Sequence, residues 1–105
     1  MENEQDWTVY FSSKSQKQKQ QLPNEMSFAL EALVRELKTD GPERKNWPHY
    51  GKIKGKGKNI DMRHCHLNKR RPIYVVVWVV LDGVMQIVEV RYVGTHENAD
   101  YRRIG

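Results

Sequence analysis

Residues 7–12, WTVYFS, alternate, with Trp7, Val9 and Phe11 on one face and Thr8, Tyr10 and Ser12 on the other. A period of two marks a half-buried strand, so the pattern predicts a first strand here. The next stretch, 13–21, is rich in Lys and Gln and almost without apolar positions. If helical, it is a solvated turn or two that Pro23 interrupts, and its stability comes from its neighbours. Helical spacing then becomes clear. Met26, Ala29, Leu30, Leu33, Val34 and Leu37 recur behind Asn24, a good N-cap, until Gly41-Pro42 stops the run. This stripe needs a sheet to lie on, while Glu25, Glu31, Arg35, Glu36 and Lys38 stay wet.

Residues 43–59 are rich in Gly and Lys, with a possible short strand over 50–54, and are expected to be the least ordered functional region. Three clearer strands follow. In DMRHCHLN, 61–68, Met62, His64, His66 and Asn68 share one face, and Arg63, Cys65 and Leu67 the other. Residues 68–72 turn. The run 73–81 is apolar throughout, as in a central strand covered on both sides, and Asp82-Gly83 predicts a two-residue hairpin turn into a strand over 84–93. The remaining GTHENADYRRIG lacks periodicity and reads as a loop leaving the sheet edge.

At 105 residues and 12.4 kDa the chain has room for one core, so residues 1–105 are expected to form one domain. With 38% hydrophobic residues and a mean hydropathy of −0.82 it is polar, yet apolar enough to close that core. Eighteen Lys and Arg against 13 Asp and Glu give a net charge of +5, which favours polyanionic partners, nucleic acid first. The charge is local: residues 44–71 hold ten basic side chains and one acid, Asp61, while acids gather at Glu2, Glu4, Asp6 and over 25–43. A lone cysteine excludes an internal disulfide, and no C-x-x-C pair marks a redox centre or closed zinc site, so a reducing, cytoplasmic compartment is expected. The opening MENEQDW has no apolar export segment, and the longest apolar run falls well short of the roughly 20 residues a membrane helix needs.

Lys52, Lys54, Lys56 and Lys58 alternate with Ile53, Gly55 and Gly57, so in an extended chain all four cations point one way, a comb suited to a phosphodiester backbone. A merely solvated basic loop is the other reading, and no P-loop motif is present. All four histidines, His49, His64, His66 and His96, lie within or after the basic segment. Histidine both accepts and donates protons near neutral pH, which is what RNA cleavage needs beside cations that neutralise a crowded phosphorane. No metal is required. The His64-x-His66 spacing also admits zinc, with His96 or His49 as third ligand, but lacks a carboxylate in a familiar metal motif. A Cys65/His nucleophile pair fares worse, because a mid-strand cysteine is ordinarily a small buried thiol. Trp7, Trp78 and Tyr74 fall in strand patterns and read as core. Trp47, Tyr50 and Tyr101 fall in loops, where aromatics can stack on bases. Glu89 and Arg91 share a strand face as a structural ion pair.

The order strand, helices, basic antiparallel sheet and short polar tail, with YGKIKGK, DMRHCHL, PIYVVVWVV and EVRYVGTHENADY, resembles the RelE/ParE superfamily of bacterial toxins from type II toxin–antitoxin pairs. Within it the likeness is strongest to the YafQ and HigB branches, whose strand Arg and His and C-terminal G-T-H are similar to Arg63, His66 and Gly94-Thr95-His96. The resemblance implies an α+β fold of microbial ribonuclease type. Two N-terminal helices would pack on a twisted, mainly antiparallel sheet of four to five strands, with the cleft on the other side. It implies a ribosome-dependent endoribonuclease that cuts mRNA in the ribosomal A site without metal or cofactor. An antitoxin would neutralise it by wrapping a disordered acidic or amphipathic segment over the basic cleft.

The resemblance further implies His66, His96, Tyr101, Arg63 and His49 as catalytic candidates. Lys52, Lys54, Lys56, Lys58, Lys69, Arg70, Arg71 and Arg91 are the candidates for RNA and phosphate binding. Two departures stand out. The acid that the YafQ pattern places shortly after the strand histidine is absent, since Asn68, Lys69, Arg70 and Arg71 fill that stretch. Arg63 and His66 fall on opposite faces of a regular strand, so either a bulge intervenes or only one of them faces the cleft, His66 being favoured. The competing functions are a ParE-like inhibitor of DNA gyrase without catalysis, which leaves the histidines unexplained, and a non-catalytic RNA-binding module.

Overall fold

The first alternating segment forms β1, Thr8–Phe11, with Val9 and Phe11 turned inward and Thr8 and Tyr10 exposed. The structure is a computed structural model that describes residues 6–54, 57 and 59–104, and Glu2, Glu4, Lys56 and Lys58 lie outside the described residues. After β1 come α1 (Ser13–Lys19), α2 (Asn24–Asp40), β2 (Gly51–Lys52), β3 (Asp61–His66), β4 (Tyr74–Asp82) and β5 (Ile87–Thr95). The strands make one sheet in the order β1-β5-β4-β3-β2, antiparallel throughout except that β1 runs parallel to β5. This is the expected α+β fold, with helices on a mainly antiparallel sheet.

The polar stretch after β1 is helical for polar reasons. Ser12 caps α1, its Oγ accepting from the Ser15 backbone N–H at 3.1 Å. Ser15 is fully buried and donates its hydroxyl to the Val90 carbonyl at 2.7 Å. Gln18 Oε1 accepts from the Val93 N–H at 2.9 Å. α1 thus docks on β5 by hydrogen bonds, without an apolar stripe. In α2 the expected cap is displaced: Pro23 occupies the N-cap and Asn24 is already helical, because proline's fixed φ suits that entry, and Pro23 O accepts from Ser27 N at 2.9 Å. Gly41 ends the helix at φ 91°, and a Cβ there would lie 3.1 Å from Trp7 Nε1, so both the backbone and the packing require glycine.

Both faces of the sheet are covered. Leu30, Leu33 and Leu37 of α2 bury against Cys65, Val76, Trp78, Val88, Val90 and Val93. On the far face Met62, Val75, Val77, Val79 and Tyr92 pack with Ile104 from the end of the chain. β4 therefore supplies Val76 and Trp78 to one core and Val75, Val77 and Val79 to the other, which is why it is apolar without a break from Val75 to Val79. No helix among the described residues is long and apolar enough to cross a membrane.

Two sequence expectations are corrected. The hairpin between β4 and β5 is not a two-residue turn. The Asp82 carboxylate accepts from Val84 N at 3.0 Å and Met85 N at 2.9 Å, opening a loop over residues 83–86 that closes through Gln86 at φ 60°. β5 consequently starts at Ile87, opposite Asp82, and leaves Val84 and Met85 exposed. At its other end β5 takes in Gly94 and Thr95, paired with Val75 and Tyr74, and the tail turns back over the sheet to bury Ile104 instead of leaving the edge. A bulge at Arg91, between the pairs Val77↔Tyr92 and Trp78↔Val90, shifts the alternation so that Val90 and Val93 both face the helices.

Candidate active site on the face opposite the helices

β3 pairs with β4 in unbroken register from Asp61↔Val80 to His66↔Val75, so its alternation is regular. Met62, His64 and His66 face away from the helices, and Cys65 lies in the helix-side core. Three other segments converge on those two histidines. His49 stacks on His66 with ring centroids 4.3 Å apart, His96 meets His66 edge-on at 5.5 Å, and Tyr101 lies tilted against His64 at 5.8 Å. Residues far apart in sequence thus form one cluster, its rim open at the exposed His49 and His96 and its centre half-buried at His64, His66 and Tyr101.

Each arm of the cluster is held by backbone. His49 sits at φ 55°, and its preceding carbonyl, Pro48 O, accepts from His66 N at 2.8 Å, which lays the loop across the end of β3. The loop is anchored from the helix face. Glu36 Oε1 accepts from Arg44 Nη1, Asn46 Nδ2 and Trp47 Nε1, each at 2.9 Å. Burial raises the Glu36 pKa, but these hydrogen bonds and the Arg44 charge outweigh it and hold the carboxyl below its ordinary range. His96 is fixed by its N–H donating to Ile73 O at 2.7 Å. Gly94, two residues earlier, admits the Tyr92 phenol, which donates to Thr95 O at 2.7 Å; a Cβ at Gly94 would lie 2.7 Å from that phenol oxygen.

Electrostatics keep the centre neutral. Burial is the largest cause lowering the pKa values of His64 and His66. The charges of His49 and His96 add to it at both, and that of His64 adds at His66. Burial raises the Tyr101 phenol. A neutral His66, half-buried yet reachable through its rim, is suited to accept a proton near pH 7. His64 Nδ1 is buried without a hydrogen-bond partner among the described residues, a local cost of about 1–3 kcal/mol.

The other candidates divide by face. Arg63 stays with the helix side, donating to both Asp61 carboxylate oxygens at 3.0 and 2.8 Å and to Tyr50 Oη at 3.0 Å. With no bulge in β3, the structure does not bring it to the histidines. Lys52 pairs opposite Arg63, while its neighbour Ile53 packs on the far-face core, so Lys52 and the exposed Lys54 alternate away from that core. Lys56 and Lys58 fall outside the described residues. Lys69, Arg70 and Arg71 are exposed on the turn joining His66 to β4, at the same end of the sheet as His96. Arg91 pairs with Glu89, as the sequence reading of that pair had it.

Trp47 and Tyr50 are structural: Trp47 is bonded to Glu36, and Tyr50 is stacked on Trp78 at 6.2 Å. The Cys65 thiol is pushed up to about 12, chiefly by burial and then by the charge of Glu36, which makes it a poor nucleophile on the wrong face. Among the described residues no three His, Cys, Asp or Glu side chains are grouped to hold a metal ion. His64 is the cluster member that the catalytic candidates omitted, since the sequence reading used its H-x-H spacing with His66 only to weigh a zinc site.

No family model matches the chain, and no curated protein matches it. Among solved structures it is similar to the crystal structure of the archaeal RelE-RelB complex from Pyrococcus horikoshii OT3. The likeness covers 90% of this chain and 99% of that one, with a TM-score of 0.70 at 17% identity. The chain has a RelE-like fold.

Proposed function

We propose that this protein is the toxin of a type II toxin–antitoxin pair and that it inhibits translation by cutting mRNA on the ribosome. The observation that carries the reading is the convergence of His49, His64 and His96 around a half-buried, neutral-leaning His66. The RelE-like fold supports the toxin class, and the structural neighbour's crystallisation as a RelE-RelB complex supports an antitoxin partner. A gyrase inhibitor would have no use for such a cluster.

In the proposed reaction a neutral imidazole, His66 by its environment, takes the proton from the RNA 2′-hydroxyl. The 2′-oxygen then attacks its own phosphorus. The P–O5′ bond breaks, and the departing 5′-oxygen receives a proton from a second histidine, the role given to the exposed His96 at the rim. The products are a 2′,3′-cyclic phosphate and a 5′-hydroxyl. Lys69, Arg70 and Arg71, on the turn at that end of the sheet, supply cations for the phosphorane and its flanking phosphates. Tyr101, with its phenol kept protonated by burial, lines the cluster beside His64. The organism's cytoplasm, with its ribosomes, is where such an activity acts.

The test is primer extension on a defined mRNA in a purified translation system, comparing wild type with His66→Ala and His96→Ala. New cuts that need the ribosome and vanish in both variants support the reading. Intact mRNA at a toxic dose, with inhibition of supercoiling that survives both substitutions, would move the assignment to gyrase.

A further inference from the structure

Lys14 and Lys17 of α1 are left out of the histidine site, yet they line a large cleft of the described structure. This cleft, about 820 Å³, runs between α1 and the C-terminal segment. Lys14, Lys17 and Gln18 form one wall, Asn98 and Arg103 stand on the other, and the C-terminal half of β5 is the floor. We propose that it is a second RNA-binding surface that takes the phosphodiester backbone of the strand running through the histidine cluster. The proposal rests on the ribonuclease reading and extends it to a face that the basic segment 44–71 does not reach.

Three observations carry it. Position is the first: Thr95 lies in the floor immediately before His96, so a strand leaving the cluster past His96 enters the cleft. Charge is the second. Four cations, Lys14, Lys17, Arg91 and Arg103, line the cleft against one acid, Asp100. Arg91 is paired with Glu89, and Arg103 lies 3.6 Å from Asp100. Lys14 and Lys17 are exposed and have no acidic partner among the described residues, which leaves both for phosphates. The third is the state of the floor. β1 reaches only to the Phe11↔Val90 pair, so the end of β5 is an uncovered strand edge that would ordinarily invite a peptide strand. Two groups of that edge are already taken by side chains and a turn. Val93 N donates to Gln18, and Thr95 O accepts from the Tyr92 phenol and from Asn98 N. An occupant must therefore be recognised by the walls, whose chemistry is cationic and amide. The α1 wall is a fixed platform, because Ser15 and Gln18 bond it to β5.

The experiment measures binding of a short single-stranded RNA, made uncleavable by 2′-deoxy substitution, by fluorescence anisotropy over a range of salt. The full chain is compared with Lys14→Ala/Lys17→Ala, at positions too exposed to disturb the core. The slope of log affinity against log salt should fall by about 1.4, since each phosphate contact on a single strand contributes roughly 0.7. Cleavage should show a raised KM with kcat unchanged. An unchanged slope overturns the proposal while leaving the histidine site standing. An unchanged slope with lost binding of a polyglutamate peptide also overturns it, giving the cleft to an acidic protein segment. Wild type that neither binds the RNA nor cuts mRNA on the ribosome overturns the ribonuclease reading and the proposal together.

Discussion

Glu36 lies on the helix side of the sheet, yet it decides where a residue on the opposite side stands. Its Oε1 accepts three hydrogen bonds at 2.9 Å from Arg44, Asn46 and Trp47, and these hold the loop that ends in Pro48 and His49. In Glu36→Ala the Trp47 indole N–H and the Arg44 guanidinium lose their acceptor together. Hydrogen bonds to a charged group contribute about 1.5–3 kcal/mol each, and bonds that share one oxygen do not add in full. Glu36 is also about one-third exposed, with 32% of its side-chain surface accessible, which puts each bond at the low end. The expected loss is about 2–4 kcal/mol, read as a shift of the urea midpoint at unchanged m-value. Glu36→Gln keeps an acceptor oxygen and should lose about 1 kcal/mol.

The sign with pH follows from the lowered carboxyl. The charged form is stabilised in the fold, so its contribution is complete above the ordinary value of 4.5 and disappears as pH falls through the folded value. Glu36→Ala should flatten that part of the acid-denaturation curve. The distant consequence separates a positioning role from a merely stabilising one. Once the loop is released, His49 leaves its stack on His66, and the His66 pKa should rise towards its ordinary value in an NMR titration. A destabilised Glu36→Ala protein whose His66 titrates as in wild type would refute the link between the two faces. An unshifted urea midpoint would refute the hydrogen-bond reasoning itself.

His49→Ala should act on the same group directly. His66 has a lowered pKa, so it stays neutral to below the usual histidine value of 6.5, and the acid limb of the kcat/KM profile should lie below that pH in wild type and move up in the variant. An unmoved limb would show that a different group is the base. Gly94→Ala places a Cβ 2.7 Å from the Tyr92 oxygen and should cost about 1–3 kcal/mol, partly restored by Tyr92→Phe, as measured by thermal or urea unfolding. Ile104→Ala should cost about 2–4 kcal/mol, because Ile104 is 9% exposed and closes the far-face core against Met62 and Val79. Hydrogen exchange should show the loosening concentrated in the tail that carries Tyr101.

The elements that were legible in the chain are those whose side chains alternate between water and one core. Val9 and Phe11 announced β1, the stripe from Met26 to Leu37 announced α2, and the unbroken apolar run of β4 announced a strand buried on both faces. What escaped was specified by hydrogen bonds and by distant contacts. α1 has no apolar signal because Ser15 and Gln18 dock it. The hairpin loop is set by one carboxylate accepting two N–H groups, which makes Asp82-Gly83 the start of a longer turn. The bulge at Arg91 and the capture of Gly94-Thr95 by β5 depend on the pairing with β4, which local pattern does not encode.

The site divides in the same way, and the division bears on which residues are functional. Strand parity placed His64 and His66 together and set Arg63 apart, and that held because β3 has no bulge. Parity was silent on His49 and His96, which reach His66 only through a left-handed loop residue and the end of β5. The resemblance counted Arg63 among the catalytic candidates, although its guanidinium is engaged by Asp61 and Tyr50, and the Asp61 carboxyl is held below its ordinary range chiefly by that bond. A cation already committed to a partly buried carboxylate must break that pair before it can meet a phosphate. Lys69, Arg70 and Arg71, exposed on the turn beside the cluster, face no such cost. The basic charge of the chain is therefore not one surface. Arg44, Arg63 and Arg91 fasten the fold to its own acids, whereas Lys69, Arg70 and Arg71 on the turn and Lys14 and Lys17 on α1 are exposed, and on the proposed reading these are cations that meet RNA.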